Sequence, residues 1–204
     1  MFVLAGLGNP GPQYALNRHN IGFLIVDALS QVYNFPVYKV KFNTFISEGH
    51  IKKHKVILCK PVTFMNRSGQ ALAPLLNFYK IPLENLYVVH DDLDLNFGRL
   101  KIKKGGGSGG HNGLNSIDQI LGKDYWRLRV GIGHPGNAFA VTNYVLGNFT
   151  KQENQEIAFI SQVINETINE LLGNDPNLWL STYSQRIKNL TQSKGISNEN
   201  EVKK

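Results

Sequence analysis

Short apolar runs of strand length alternate with helical periodicity along most of this chain, and that alternation leaves few folds open. Phe2 to Leu7 is apolar and closes on Gly8-Asn9-Pro10-Gly11, a strand followed by a loop. Ile21, Leu24, Ala28, Leu29 and Val32 then recur at helical spacing. Phe42 to Ile51 and Lys55 to Lys60 read as two strands joined by a basic turn at Lys52-Lys53-His54, with Pro61 ending the second. Leu72, Leu75, Leu76 and Tyr79 mark a helix in which Pro74 imposes either a kink or a late start. Leu86 to His90 is a buried strand and Arg99 to Lys104 an alternating one. A glycine-rich loop, Gly105 to Gly110, leads to a helix over Leu114 to Leu121, and Trp126 to Gly133 is the last clear strand. Thr150 and Glu153 have capping-box spacing before the stripe Ile157, Ile160, Ile164, Ile168 and Leu171. A final helix is predicted over Leu178 to Leu190.

Strands alternating with helices imply a single-domain α/β fold: a twisted, largely parallel sheet flanked by helices, made mixed by the hairpin at Lys52. No internal repeat or interdomain linker interrupts the 204 residues. One domain is expected over residues 1–190, followed at 191–204 by a disordered polar tail poor in anchoring residues.

Only one cysteine is present, Cys59, within the apolar run Val56 to Cys59, so no internal disulfide can form and a buried thiol is expected. No apolar stretch is long enough to span a bilayer, and the first residues lack a signal-peptide pattern. A cytoplasmic protein without membrane attachment is the expectation. Lys and Arg number 22 against 15 Asp and Glu, a formal charge of +7, which favours a polyanionic partner such as nucleic acid.

In open α/β sheets, ligands bind beyond the carboxyl ends of the strands. Asn9, Asn66, Asp91 and Asn112 each follow a predicted strand or its loop, and His19 immediately precedes the first helix. Each has a plainer reading: a turn residue for Asn9, a helix cap for Asn66 or Asp91, a structural histidine for His19. Together they fit a histidine–carboxylate base with neutral amides that hold a substrate and stabilise an oxyanion. No Gly-x-Ser-x-Gly elbow is present, so water is the expected nucleophile if this is a hydrolase.

The glycine loop lacks the Gly-Lys-Ser/Thr ending of a phosphate-binding P-loop. It is either a flexible connection or a mobile gate beside the site. The six histidines show no zinc-binding pattern, and no metal or cofactor is expected. Arg99, Lys101 and Lys103 alternate with Leu100 and Ile102, and Arg127 and Arg129 alternate with Leu128 and Val130. Each set shares one face of its strand, a pattern that suits contacts with a phosphate backbone.

These segments resemble the bacterial-type peptidyl-tRNA hydrolases. The resemblance rests on Gly6 to Gly11, Tyr14 with Arg18-His19-Asn20, Pro61 to Gly69, His90-Asp91-Asp92-Leu93-Asp94, Gly105 to Gly113 and Arg127 to Pro135, in the family's order. It implies a monomeric, metal-independent esterase that cleaves the bond between peptide and tRNA, with peptidyl-tRNA as partner. By the same resemblance His19 is the catalytic base and Asp91 orients it. Asn9, Asn66 and Asn112 position the peptide, the water or the terminal ribose. Tyr14 and Met65 line the crevice, and Lys103 and Arg129 meet the tRNA phosphates. Asn17 stands where the family has Thr, Asp92 where Glu is usual, and Ser108 interrupts the glycine loop. The alternative is a non-catalytic, splicing-factor-like RNA-binding protein on the same fold, which would need the basic face but not His19, Asp91 and the asparagines. A nucleotide-dependent enzyme using the glycine loop is a third reading.

Overall fold

A computed structural model describes residues 1–172 and 176–201. The strands are β1 (Phe2–Gly6), β2 (Lys39–Lys41), β3 (Thr44–Ile51), β4 (His54–Pro61), β5 (Leu86–Asp92), β6 (Leu100–Lys104) and β7 (Trp126–Gly131). The α-helices are α1 (Ile21–Val32), α2 (Ser68–Tyr79), α3 (Asn112–Leu121), α4 (Val141–Val145), α5 (Lys151–Leu171) and α6 (Pro176–Glu201). One seven-stranded sheet has the order β2-β3-β4-β1-β5-β7-β6. Its four inner strands, β4, β1, β5 and β7, run parallel, while β2, β3 and β6 pair antiparallel at the edges. The predicted mixed α/β sheet is therefore observed.

Alternation along β1 explains why both faces of the sheet are covered. Leu4 points into a core with Ile25, Val26, Ile160 and Ile164 of α1 and α5. Val3 and Ala5 point into the opposite core with Leu72, Leu75 and Ile117 of α2 and α3. Leu4 is fully buried. Truncating it to Ala would cost about 2–5 kcal/mol through lost transfer energy and the cavity left behind.

Some boundaries differ from the sequence reading. β2 was not foreseen: three exposed residues give no periodic signal. α2 starts at Ser68 and runs through Pro74, so the late start does not occur. Pro74 is exposed, and water can satisfy the carbonyl one turn earlier that loses its N–H partner. The last helix, predicted over Leu178–Leu190, extends over Pro176–Glu201. Trp179 anchors its start, fully buried, with its indole N–H donating to Thr167 Oγ1 at 3.0 Å. Most of the polar segment 191–204 therefore falls on α6, and residues 202–204 lie outside the described residues. The thiol of Cys59 is buried, which drives its pKa up. Among the described residues, no helix is long and apolar enough to cross a membrane.

Candidate active site

The parallel strands β1 and β5 end side by side, and a cleft of about 770 Å³ opens above them. Asn9, His19, Met65, Asn66, Asp91, Asn112, Lys103 and Arg129 all line it. Tyr14, the remaining expected site residue, is not among the lining residues. It sits half-buried in a 3-10 turn at Pro12–Tyr14.

His19 lies in a 3-10 turn just before α1, and long-range contacts hold this turn in place. Arg18 donates two hydrogen bonds to the Glu153 carboxylate, at 2.9 and 3.1 Å, and one to the Asn148 carbonyl at 2.9 Å. Its guanidinium lies 4.5 Å from the centre of the Tyr144 ring. Asn17 donates to Asn148 Oδ1 at 2.7 Å. Glu153 also completes the predicted capping box with Thr150, so one carboxylate caps α5 and fixes the arginine beside His19.

His19 Nδ1 is 2.8 Å from Asp91 Oδ1 and 2.9 Å from Oδ2. A carboxylate only accepts, so the proton sits on Nδ1 and Nε2 is left as a bare acceptor. His111 meets the same carboxylate. Its Nδ1 accepts from the Gly113 and Leu114 N–H groups at 3.1 and 3.3 Å, capping α3. Nε2 of His111 therefore carries the proton, and it donates to Asp91 Oδ1 at 3.0 Å. Burial pushes the Asp91 carboxyl up, but His111 and His19 outweigh that and hold it well below the usual carboxylate range. Neither His111 nor this capping role was foreseen. The available signal was a histidine directly before an Asn-Gly helix start.

Asn9 follows β1 and is oriented from both sides. Its Oδ1 accepts from the Met65 N–H at 2.9 Å, while Asn20, almost fully buried, exchanges two 2.9 Å hydrogen bonds with its main chain. Asn20 thus emerges as a further positioning residue. Asn66 is exposed in the turn before α2 and makes no capping bond, and Asn112 is the exposed first residue of α3.

The basic strands divide. Their register aligns Lys103 with Arg127 and Lys101 with Arg129, so these four share one face as expected. Arg129 donates to Asp92 Oδ2 at 2.6 Å, and that bond raises its pKa; a quarter of its side chain remains exposed. Lys103 is exposed. Arg127 departs from the phosphate-contact reading. Only 2% exposed, it bonds Asp118 at 2.8 Å and the Gly107 carbonyl at 2.7 Å, and it lies over the Tyr125 ring. It is a structural cation that anchors the glycine loop. Gly105, Gly106, Gly109 and Gly110 all have positive φ, which explains the loop's composition.

His19, Asp91 and His111 also form the one group, among the described residues, with ligand atoms close enough to share an ion, within 4.8 Å of one another. An ion there would displace the N–H···O bonds that fix both tautomers. As hydrogen-bonded, each of these ligand atoms already has a proton-sharing partner.

An α/β sheet whose cleft gathers a carboxylate-oriented imidazole and asparagine amides has the arrangement of a hydrolase. A family model described as Peptidyl-tRNA hydrolase matches residues 3–192. The peptidyl-tRNA hydrolase of Ehrlichia ruminantium (strain Welgevonden) is 47% identical over 97% of this chain and 99% of that protein. The Bartonella quintana protein of the same name is 48% identical over 93% of this chain and 98% of its own. The crystal structure of peptidyl-tRNA hydrolase from Acinetobacter baumannii superimposes with a TM-score of 0.85 at 38% identity, covering 90% of this chain and 94% of that one. The chain belongs to the peptidyl-tRNA hydrolase family.

Proposed function

We propose that this protein hydrolyses the ester joining a peptide to tRNA, with His19 as general base. One observation carries the reading: both Asp91 oxygens hold His19 Nδ1, leaving Nε2 as an acceptor in the cleft. A water hydrogen-bonded to Nε2 loses its proton to the imidazole as its oxygen attacks the ester carbonyl. Asp91 stabilises the imidazolium that forms. The amides of Asn9, Asn66 and Asn112 hold the substrate and the developing oxyanion. The tetrahedral intermediate then collapses, and the terminal ribose oxygen leaves with a proton returned by His19.

Lys103 and Arg129, which line the same cleft, meet the tRNA phosphates, and Met65 packs against the peptide end. Such a substrate belongs to the cytoplasm, and a cleft completed by one chain fits a monomer. Rejection of ordinary aminoacyl-tRNA follows if a cleft amide requires an acylated nitrogen, since a buried polar group left unpaired is a strong filter.

The test is release of N-blocked amino acid from tRNA, run beside free aminoacyl-tRNA, an EDTA-treated sample and His19→Ala. Cleavage of the blocked substrate alone, insensitive to chelation and reduced about 10²–10⁴-fold in the variant, is expected. Tight tRNA binding without cleavage would instead support the RNA-binding alternative.

A further inference from the structure

Among the buried polar atoms at this cleft that lack a partner is an acceptor. His90 is 2% exposed and lines the cleft, and its Nε2 makes no hydrogen bond. Its other nitrogen is 2.7 Å from the Asp91 carbonyl. A carbonyl only accepts, so Nδ1 carries the proton and Nε2 presents a lone pair. Burial, with His111 nearby, lowers the His90 pKa to about 3, so the ring is neutral at working pH and acts there only as an acceptor. Burying an acceptor without a donor is destabilising, and such groups call for an explanation.

The position of the ring indicates what the donor is. Side chains alternate along β5, so His90 and Asp91 project from opposite faces of its end. Asp91 serves His19. His90 pairs in register with Arg129 of β7 and shares its face, the face that also carries Lys103. Its ring packs edge-on to His111, 5.1 Å between centroids, beside the chemical centre. His90 thus stands between the reacting groups and the cations that face the nucleic acid. The part of the substrate that spans this interval is the ribose of the terminal nucleotide. Its 3′ oxygen carries the ester, and its 2′-hydroxyl is a free donor.

We propose that His90 is a positioning and specificity residue whose Nε2 accepts a hydrogen bond from the 2′-hydroxyl of the esterified ribose. The assignment rests on the hydrolase reading above. Nε2 is shut off from water in the free protein, so the contact requires a shift of the groups that cover it. The bond orients the sugar so that the ester carbonyl faces His19, and it distinguishes a ribonucleotide end from a deoxyribonucleotide end.

The experiment compares N-blocked aminoacyl-tRNA bearing either a ribose or a 2′-deoxyribose at the terminal, 3′-acylated nucleotide. The wild-type protein, His90→Asn, His90→Phe and His90→Gln are each assayed on both. Asn keeps a donor for the Asp91 carbonyl but lacks the distal acceptor, Phe keeps the ring volume, and the Gln amide reaches the Nε2 position. The wild type should lose about 10-fold or more in kcat/KM on the deoxy substrate. The Asn and Phe variants should handle both substrates at nearly equal, reduced rates, and Gln should restore part of the discrimination. An equal deoxy penalty in the wild type and in whichever of Asn and Phe folds, or no penalty in the wild type, overturns the proposal. Failure of the wild type to cleave the ribose substrate would instead overturn the hydrolase reading.

Discussion

His111 donates to the same Asp91 oxygen that receives the proton of His19, at 3.0 and 2.8 Å respectively. One buried carboxylate oxygen thus joins the turn before α1 to the N-terminus of α3.

That shared oxygen makes His111 testable. His111→Phe removes the bond to Asp91 and the cap of α3 together. Turnover should fall about 10–100-fold, as for one hydrogen bond to a charged group, and stability should fall by about 1 kcal/mol for the lost cap. His111→Asn should restore the cap, because asparagine is a good N-cap residue, while leaving turnover low. Steady-state kinetics and urea unfolding of the two variants separate these effects.

Acid should destabilise the fold through His90. Its folded pKa is about 3, below the ordinary ~6.5 of an unfolded histidine. Between those values the unfolded chain binds more protons, so stability is full above the unfolded pKa and declines as pH falls. The slope contributed approaches about 1.4 kcal/mol per pH unit within that window. Asp91 adds to the loss only below about pH 4, because its own folded pKa lies under the unfolded one. Urea unfolding between pH 7.5 and 4.5 should show a shallower decline for His90→Gln than for the wild type.

The two arginines of β7 should respond differently to salt. Arg129→Ala should lower the slope of log(kcat/KM) against log salt by about 1 if it neutralises one phosphate, and Lys103→Ala should do the same. Arg127→Ala should leave the slope unchanged but cost about 3–5 kcal/mol, because Asp118 would keep only the Tyr125 hydroxyl and lose its counter-ion. A salt slope that drops equally in all three variants would contradict the division between surface and structural cations.

Gly69→Ala tests the packing beneath the cleft. A methyl group there would lie 2.2 Å from the Ser116 carbonyl oxygen and 2.7 Å from its carbon, both backbone atoms of α3. α2, which follows the turn bearing Asn66, and α3, which begins at Asn112, would have to separate. A loss of about 1–3 kcal/mol is expected, together with reduced kcat, read from thermal unfolding and from turnover below the transition.

Much of this architecture was legible because its signals are local. Val3 to Leu7 and Leu86 to Val89 are apolar without interruption, as strands buried on both faces must be, and Thr150 with Glu153 spelled out a helix start that the structure contains. Strand ends then pointed to Asp91 and the three asparagines, and the start of the first helix to His19. What escaped were properties set by distance along the chain. Period two placed Arg127 on the correct face but could not give its depth, which depends on Asp118 of α3 closing over it. His111 acquires its role only because α3 brings it to Asp91, 20 residues away in sequence. Tyr14 was carried by the resemblance alone, and no local pattern in the sequence marks it.

The clamp between Arg18 and Glu153 joins residues 135 positions apart. Such a contact closes late, because the loop entropy must be met before the bond can form. The turn bearing His19 is consequently clamped only once α5 has docked on α1. Catalytic competence is thereby tied to the docking of α5. During refolding, recovery of activity should trail the recovery of helical signal, and a chain cut short before α5 would lose both this clamp and the apolar cover that Ile160 and Ile164 give one face of the sheet.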